Sequence, residues 1–137
     1  MKVEAKNKFN KVYYTLEYDK ANNYNYSNWI GYVGVEDVKD ACLKCLTVME
    51  KNKCANILND NSQISGPWSG ANEWIASVWM PKALQLGLKR FAHVVSPNVF
   101  SAMSVEQLVS KVEGMNFEMR IFKTKEEAHN WLRSSFQ

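Results

Sequence analysis

The chain has 137 residues, of which 46% are apolar and 23% charged, with three prolines and three cysteines. These values are typical of one compact globular domain and exclude a collagen-like or intrinsically disordered chain, so we predict a single domain over residues 1–137. No run of about 18 apolar residues is present and the N-terminus lacks the apolar stretch of a secretory signal, so we expect no transmembrane segment and a cytoplasmic protein.

The formal net charge is +3, and fourteen of the seventeen basic residues are lysines spread along the chain. Proteins that bind nucleic acids usually cluster their basic residues, often as arginines. The nearest cluster is Lys2, Lys6, Lys8 and Lys11, which we interpret as a frayed, solvated N-terminus. We therefore predict that the chain binds no nucleic acid.

The first half of the chain predicts two strands followed by a helix. Residues 12–18 alternate between apolar and polar side chains, which indicates a strand with one buried face, and a second strand is expected at about 24–33. Gly34, followed by two acidic residues, opens a helix with apolar residues at helical spacing, and Asn52 closes it.

The central part predicts a buried strand, a polar loop and an irregular helix. Residues 55–59 form a short apolar run, and the polar stretch 60–68 is predicted to be a loop. Ser69 or Gly70 then caps a helix, in which Pro81 predicts a kink or a break.

The last third predicts two further strand and helix pairs. A strand is expected at 91–95, and a capping box from Ser104 to Gln107 predicts a helix over about 104–113. A strand at 117–121 and a second capping box, which begins at Thr124, follow. Four residues form the predicted inner face of this last helix: Ala128, Trp131, Leu132 and Phe136.

The predicted order is therefore β-β-α-β-α-β-α-β-α. This order indicates an α/β fold with about five strands and four helices, in which a mostly parallel sheet runs in sequential order. The first strand is expected to be antiparallel to the second.

Three segments of the chain carry a family pattern: the end at 120–132, which is the most specific part, and shorter segments at 57–60 and 87–92. Through them the chain resembles the SpoIIAA-like fold of STAS domains, which include anti-sigma-factor antagonists and the tails of sulfate transporters. The resemblance spans about 9–136, and within the family it favours the uncharacterised STAS-like branch related to CRAL-TRIO lipid-transfer domains. These are packing and capping features, so the resemblance implies a SpoIIAA-like fold more strongly than a function.

STAS switch proteins carry a short Asp-Ser-Ser-Gly type motif whose serine is phosphorylated to block partner binding. The matching stretch here is 65–70, in which Ser69 occupies the corresponding place without the preceding aspartate. The resemblance therefore implies Ser69 as a phosphorylation site, whereas the residues themselves favour an ordinary helix N-cap.

The reactive residue types do not form a catalytic pattern. Cys42 and Cys45 lie in the middle of a predicted helix on its apolar face, where core packing explains them better than redox chemistry. His93 lies within a strand and is interpreted as a hydrogen-bonded interior residue, and His129 as a solvated residue on the last helix. We therefore expect no enzyme activity, no cofactor and no metal site.

The carboxyl ends of the parallel strands remain as the place for a functional site, because open α/β sheets bind ligands there. The predicted ligand- or partner-binding residues are Asp60, Ser62, Ser65, Trp68, Ser69, Trp74, Trp79 and Ser96. The tryptophans have two interpretations: all three wall an apolar pocket or interface, or Trp74 and Trp79 belong to the core and only Trp68 is free.

Two functions follow from these observations. The first is a non-catalytic STAS-like binding or partner-switch module that acts through the loop and helix 60–80, with a protein partner or a second copy of the chain as a homodimer. The alternative is a carrier of a small apolar ligand or lipid, with an aromatic-lined pocket.

Overall fold

The computed structural model describes residues 2–134, apart from the side chains of residues 99 and 100. The strands are β1 (Lys2–Lys6), β2 (Val12–Asp19), β3 (Tyr24–Tyr32), β4 (Asn56–Ser65), β5 (Arg90–Val94) and β6 (Glu118–Phe122). Three helices are regular: α1 (Val35–Asn52), α3 (Val99–Val112) and α4 (Lys125–Arg133). The remaining helix, α2, joins a 3₁₀ turn (Ser69–Ala71), two α-helical segments (Asn72–Trp74 and Met80–Gln85) and a π-helical turn between them (Ile75–Trp79).

The six strands form one sheet in the order β1-β2-β3-β4-β5-β6. The pairs β1–β2 and β2–β3 are antiparallel, and the strands from β3 to β6 are parallel. The predicted fold class, a mostly parallel sheet in sequential order with four helices, is confirmed, and β1 is an additional strand.

The interpretation of the N-terminus as frayed was wrong for residues 2–6. This segment pairs with β2, and Ala5, which lies opposite Tyr14, is only 3% exposed. Its lysines point outward from an edge strand, where their charge discourages pairing with another chain. Because charged residues alternate with Val3 and Ala5, the segment has the pattern of a short edge strand as well as that of a solvated tail.

The predicted loop at 60–68 was wrong for its first six residues, because β4 continues to Ser65. Asp60 and Asn61 in this stretch are buried, whereas Ser62, Gln63 and Ser65 are exposed. Trp29 Nε1 donates a 2.8 Å hydrogen bond to Asn59 Oδ1, and the Tyr26 hydroxyl donates a 2.6 Å hydrogen bond to Asp60 Oδ2. A partner on β3 therefore satisfies the carboxylate of Asp60, which the local sequence assigns to a loop.

The irregularity predicted at Pro81 takes the form of the π-helical turn at Ile75–Trp79. A proline has no N–H to donate and its ring crowds the carbonyl four residues earlier, here that of Ser77. A π turn widens the helix at this point, so that α2 continues through Pro81 without a break. The predicted cap was wrong, since Trp68 holds the N-cap position and no side chain caps the turn at Ser69.

The two predicted capping boxes have different outcomes. The Thr124 hydroxyl accepts a 3.2 Å hydrogen bond from the main-chain N–H of Glu127, so Thr124 is confirmed as the N-cap of α4. The first was wrong because α3 begins at Val99, five residues earlier than expected. Ser104 is instead buried within α3, where its hydroxyl accepts a hydrogen bond from the main-chain N–H of Trp68 at 3.1 Å.

The helices cover the sheet unequally. Helices α1, α2 and α3 pack on one face and enclose the larger core. Helix α4 packs alone on the other face through Ala128 and Leu132, with Trp131 half-buried beside them. The inward orientation predicted for Phe136 concerns a position outside the described residues.

Candidate functional site

Asp60, the first of the predicted site residues, is a buried structural anchor. One carboxylate oxygen accepts the Tyr26 hydroxyl, and the other accepts the main-chain N–H of Ser62 at 2.9 Å. Burial, together with Asp60 itself, raises the pKa of Tyr26 far above its usual value, so this hydroxyl stays protonated and keeps donating. Lys125 Nζ lies over the Tyr26 ring, 4.0 Å from its centre, in a cation–π contact.

Ser96, at the far side of the predicted site, also has a structural role. Its hydroxyl donates a 3.0 Å hydrogen bond to the main-chain carbonyl of Ile64 and accepts one from the N–H of Asn98. These bonds hold the segment after β5 against the end of β4. Ser96 is buried, whereas Ser62 and Ser65 are exposed and Ser69 is half-buried.

The three tryptophans do not form an exposed surface. Trp68 and Trp79 are 7% and 3% exposed, and Trp74 is half-buried against the core. The interpretation of Trp79 as a core residue is therefore right, and the expectation that Trp68 is free was wrong.

The π-helical turn explains how Trp74 and Trp79 both approach α1. On a regular α-helix, residues five positions apart differ in direction by roughly 140°. Here Lys39 Nζ of α1 lies 5.9 Å from the Trp74 ring centre, and Trp79 Nε1 donates a 2.7 Å hydrogen bond to the Cys42 carbonyl, also on α1. The wider turn thus brings both side chains to the same neighbour.

Exposed apolar side chains lie instead at the carboxyl end of β3 and the start of α1. Tyr32 is 71% exposed, Val35 38% and Ile30 37%. We name these three residues, with the neighbouring exposed residues Gln63 and Ser65 of β4, the edge surface. β4 pairs with β3 through this part, with Ile30 opposite Gln63 and Tyr32 opposite Ser65.

Two glycines lie directly against side chains of the edge surface, where a larger residue would collide with them. A Cβ atom at Gly66 would lie 3.2 Å from a carbon of the Tyr32 ring, and one at Gly70 would lie 2.9 Å from Val35 Cγ2. Gly66 also has a positive φ of 75°, which L side chains rarely adopt. The sequence places Tyr32 inside the strand predicted at about 24–33, where nothing local marks it as exposed.

A cavity of about 50 Å³ lies inside the larger core, between the sheet and α1, α2 and α3. Most of its lining is apolar or aromatic, and its polar lining residues include Asn59, Asn61, Trp68 and His93. Asn59 Nδ2 lies 3.2 Å from both Asn61 Oδ1 and His93 Nδ1. We call this space the internal cavity. In the sequence it is indicated by polar residues at alternate positions of a buried strand.

The titratable groups around the internal cavity are uncharged near neutral pH. Burial lowers the pKa of His93 to about 3, so its imidazole is neutral and a weak base. Burial also raises the pKa of Cys45 to about 11 and that of Cys42 further, which disfavours the nucleophilic thiolate. The predicted core position is confirmed for Cys45, which is 3% exposed, while Cys42 is half-buried against the core.

The environment predicted for His93 is the one observed, whereas that of His129 differs from the prediction. His93 is the predicted hydrogen-bonded interior residue, at 1% exposure. His129 is half-buried: its Nδ1 lies 2.8 Å from the Tyr24 hydroxyl, and the two rings meet edge to face.

Among residues 2–134, no group of three histidine, cysteine or acidic side chains is arranged to hold a metal ion. None of the helices in this part of the chain is both long and apolar enough to cross a membrane.

No protein-family profile and no curated protein sequence matches the chain. Solved structures do match it. The anti-sigma factor antagonist SpoIIAA, in its unphosphorylated form, superposes with a TM-score of 0.59 at 17% identity, covering 89% of this chain and 99% of its own. An uncharacterised protein of the DUF3478 family from Shewanella loihica superposes with a TM-score of 0.51 at 18% identity, covering 87% and 91%.

At these identities the likeness concerns the fold. The relation to CRAL-TRIO lipid-transfer domains stays a prediction. The order of the strands, the placement of three helices on one face and one on the other, and these superpositions together assign the chain a SpoIIAA-like fold.

Proposed function

We propose that the chain is a non-catalytic protein-binding module of STAS type, which contacts its partner through the edge surface and the adjoining residues 60–80. The observation that carries this proposal is Tyr32, a large aromatic side chain that is 71% exposed beside a glycine. Tyrosine is enriched at the centres of protein interfaces, because it combines apolar area with a hydrogen-bonding hydroxyl.

The surroundings of Tyr32 favour binding further. Gly66 and Gly70 bring the main chain close to the Tyr32 and Val35 side chains, which limits their conformational freedom before a partner arrives. An interface that is ordered in advance loses less entropy on binding. The exposed polar residues Gln63 and Ser65 beside these side chains supply a rim that can hydrogen-bond.

The chemistry of the chain supports a binding role over a catalytic one. The carboxylate of Asp60 is occupied by two donors, the imidazole of His93 is a weak base, and the thiols of Cys42 and Cys45 favour the protonated form. SpoIIAA, the first of the similar structures, is described as an antagonist of an anti-sigma factor, which is a role exerted on another protein.

The size of the internal cavity favours a protein partner over a lipid. Pockets for drug-sized ligands have volumes of about 300–1,000 Å³. The internal cavity, at about 50 Å³, is several times smaller than that. A lipid carrier would therefore require α1 or α2 to move away from the sheet.

A phosphorylation switch at Ser69 extends the proposal. Ser69 is half-buried in the turn that opens α2, and its neighbour Gly70 packs against Val35 at the start of α1. Helix α1 carries Glu36 and Asp37 in its first turn. A phosphate at Ser69 would add about two negative charges close to these carboxylates and beside the edge surface, which would weaken partner binding.

The experiment compares two exposed aromatic residues. Tyr32→Ala and the control Phe9→Ala remove rings that are 71% and 70% exposed, respectively, and Phe9 lies in the turn between β1 and β2, outside the edge surface. Proteins captured from a lysate of the source organism are identified by mass spectrometry, and self-association is measured by light scattering.

Tyr32→Ala is expected to lower the affinity for the specific partner, or for the second copy of the homodimer, at least about tenfold, as is typical of a central interface tyrosine. Phe9→Ala is expected to leave this affinity unchanged. Equal capture and equal assembly in both variants would contradict the proposal. For the switch, Ser69→Glu is expected to weaken the same complex while Ser69→Ala leaves it intact, and equal binding by both would exclude it.

A further inference from the structure

Strand β6 forms one edge of the sheet and has an unpaired side. The main-chain N–H of Glu118 and the carbonyl of Phe122 bond to residues that flank β5, at 2.8 and 3.0 Å. Because main-chain groups alternate in direction along a strand, those of Met119 and Ile121 point away from β5. Among residues 2–134, no strand pairs with this side of β6. We call residues 117–121 the β6 edge.

The two edges of the sheet differ in how they are protected. Free strand edges commonly carry lysines or a proline, which discourage pairing with another chain. The first strand, β1, has Lys2 and Lys6. The β6 edge has neither lysine nor proline, and its Ile121 side chain is 42% exposed. The β6 edge is therefore open to pairing with a further strand.

The order of side chains along the β6 edge is complementary to itself. Met119 lies between an acidic and a basic residue, Glu118 and Arg120, and these lie between two apolar residues, Phe117 and Ile121. Residues directly opposite each other in antiparallel strands share a face of the sheet and contact each other. If β6 pairs with a copy of itself about a two-fold axis at Met119, each Glu118 lies opposite Arg120 of the copy. Each Phe117 then lies opposite Ile121 of the copy.

The structure separates these two kinds of contact onto the two faces of the sheet. Glu118 and Arg120 lie on the face of α4, with side chains that are 48% and 58% exposed. Phe117 and Met119 pack on the opposite face, against the larger core. A groove of about 420 Å³ lies between α3 and β6, and Phe117 is one of its lining residues. The Ile121 side chain of a copy therefore has room opposite Phe117.

The charges select this register over its neighbours. An axis at Arg120 would place two guanidinium groups directly opposite each other, and an axis at Glu118 would do the same with two carboxylates. With the axis at Met119, opposite charges meet instead. The main chain permits this register, because the outward N–H and carbonyl of Met119 can bond to those of its copy.

We propose that the chain forms a symmetric homodimer in which the β6 edges of two copies pair in antiparallel fashion about Met119. Both copies use the same surface, so the contact closes after two copies and does not grow into a fibre. A contact of this length buries little area, so the dimer should dissociate on dilution. The β6 edge shares no residue with the edge surface, and this dimer does not depend on the partner binding proposed above.

The test reverses the two charges in turn. Glu118→Arg and Arg120→Glu each place like charges opposite each other at both symmetric contacts, so each should weaken the dimer at least about tenfold in sedimentation equilibrium. The double variant Glu118→Arg/Arg120→Glu restores opposite charges and should recover the dimer. The control is Glu73→Arg, which makes the same charge change in an exposed ion pair with Lys111, outside the β6 edge, and should have no effect.

A second measurement uses the unmodified chain, because Glu118 also lies 4.0 Å from Arg90 Nε and its replacement is expected to cost stability. Hydrogen exchange of the Met119 amide is followed at rising protein concentration, and its protection should grow with the dimer fraction. A chain that stays monomeric up to about 1 mM, or Met119 protection that does not change as the dimer forms, would overturn the proposal.

Three further results would also overturn it. The first is a dimer that neither single charge reversal weakens, and the second is a folded double variant that dimerises no better than the single ones. The third is a dimer that Tyr32→Ala dissociates and the charge reversals do not, because such a dimer would belong to the edge surface.

Discussion

The indole Nε1 of Trp79 donates a hydrogen bond of 2.7 Å to the main-chain carbonyl of Cys42, and so joins the π-helical turn of α2 to the middle of α1. Both helices form the wall of the internal cavity at this point. The bond therefore positions the irregular part of α2 over the sheet.

Removing this bond should destabilise the protein measurably. Trp79→Phe keeps an aromatic ring in the core but loses the donor, which should lower the free energy of unfolding by about 1–2 kcal/mol. Trp74→Phe is the control, because Trp74 is half-buried and contacts α1 through Lys39. Urea denaturation should show a clearly smaller loss for Trp74→Phe, and equal losses would contradict the role assigned to the Trp79 bond.

Burial of His93 predicts that the protein loses stability in acid. The pKa of His93 is lowered from 6.5 to about 3 in the folded chain, so between these values the unfolded chain binds the additional proton. The free energy of unfolding should then fall by about 1.4 kcal/mol for each pH unit as the pH decreases through this window.

The matched variant for this effect is His93→Gln, which can accept from Asn59 but does not titrate. Denaturation curves at several pH values between 6 and 4 should give a smaller slope for the variant, because every other titratable group is common to both proteins. Identical slopes would show that His93 takes up its proton in the folded state as easily as in the unfolded one.

The close approach of Gly70 to Val35 predicts a specific coupling. The methyl group added by Gly70→Ala would lie 2.9 Å from Val35 Cγ2 and should cost about 1–3 kcal/mol of stability. Val35→Ala removes the clashing carbon, so the double variant should recover much of that loss in a double-mutant cycle. Additive effects would mean that the two positions do not touch.

Arg90 is predicted to hold the end of α4 against the sheet. Its Nη1 donates to the main-chain carbonyls of Trp131 and Ser134 at 2.8 and 3.1 Å, and its guanidinium lies 5.1 Å from the Trp131 ring centre. Arg90→Met should lower the free energy of unfolding by about 2–4 kcal/mol and expose the α4 amides to hydrogen exchange.

Arg120 provides the comparison for Arg90. It also lies 5.1 Å from the Trp131 ring centre, but its side chain is 58% exposed and pairs with Glu118 at 3.6 Å. Arg120→Met should cost less than about 1 kcal/mol, as is usual for an exposed ion pair. If exchange of the α4 amides is unchanged in Arg90→Met, Arg90 does not anchor the helix.

The local patterns of the sequence were sufficient for most of the fold. Alternation identified β2, helical spacing identified α1, and the capping box at Thr124 gave the start of α4. The misassignments arise where a partner distant in sequence supplies the hydrogen bond. Ser104 resembles an N-cap, but its hydroxyl accepts from Trp68, 36 positions earlier.

The candidate site was harder to predict for the same reason. Asp60 was expected at the functional edge, and its burial depends on Tyr26, 34 positions away. The tryptophans had two interpretations, and deciding between them required the π turn, which brings both Trp74 and Trp79 to α1. Gly66, in the connection that follows β4, lets the main chain approach the Tyr32 ring, and no local pattern reveals that approach.

The most direct test of the proposed function places a photo-crosslinking side chain in the edge surface. Tyr32→p-benzoylphenylalanine and, as the control, Phe9→p-benzoylphenylalanine are irradiated in cells of the source organism, and the crosslinked products are identified by mass spectrometry. The account predicts a discrete crosslinked protein, or a crosslinked homodimer, from position 32 and none from position 9. Crosslinking from position 9 alone, or an identical pattern from both positions, would contradict it.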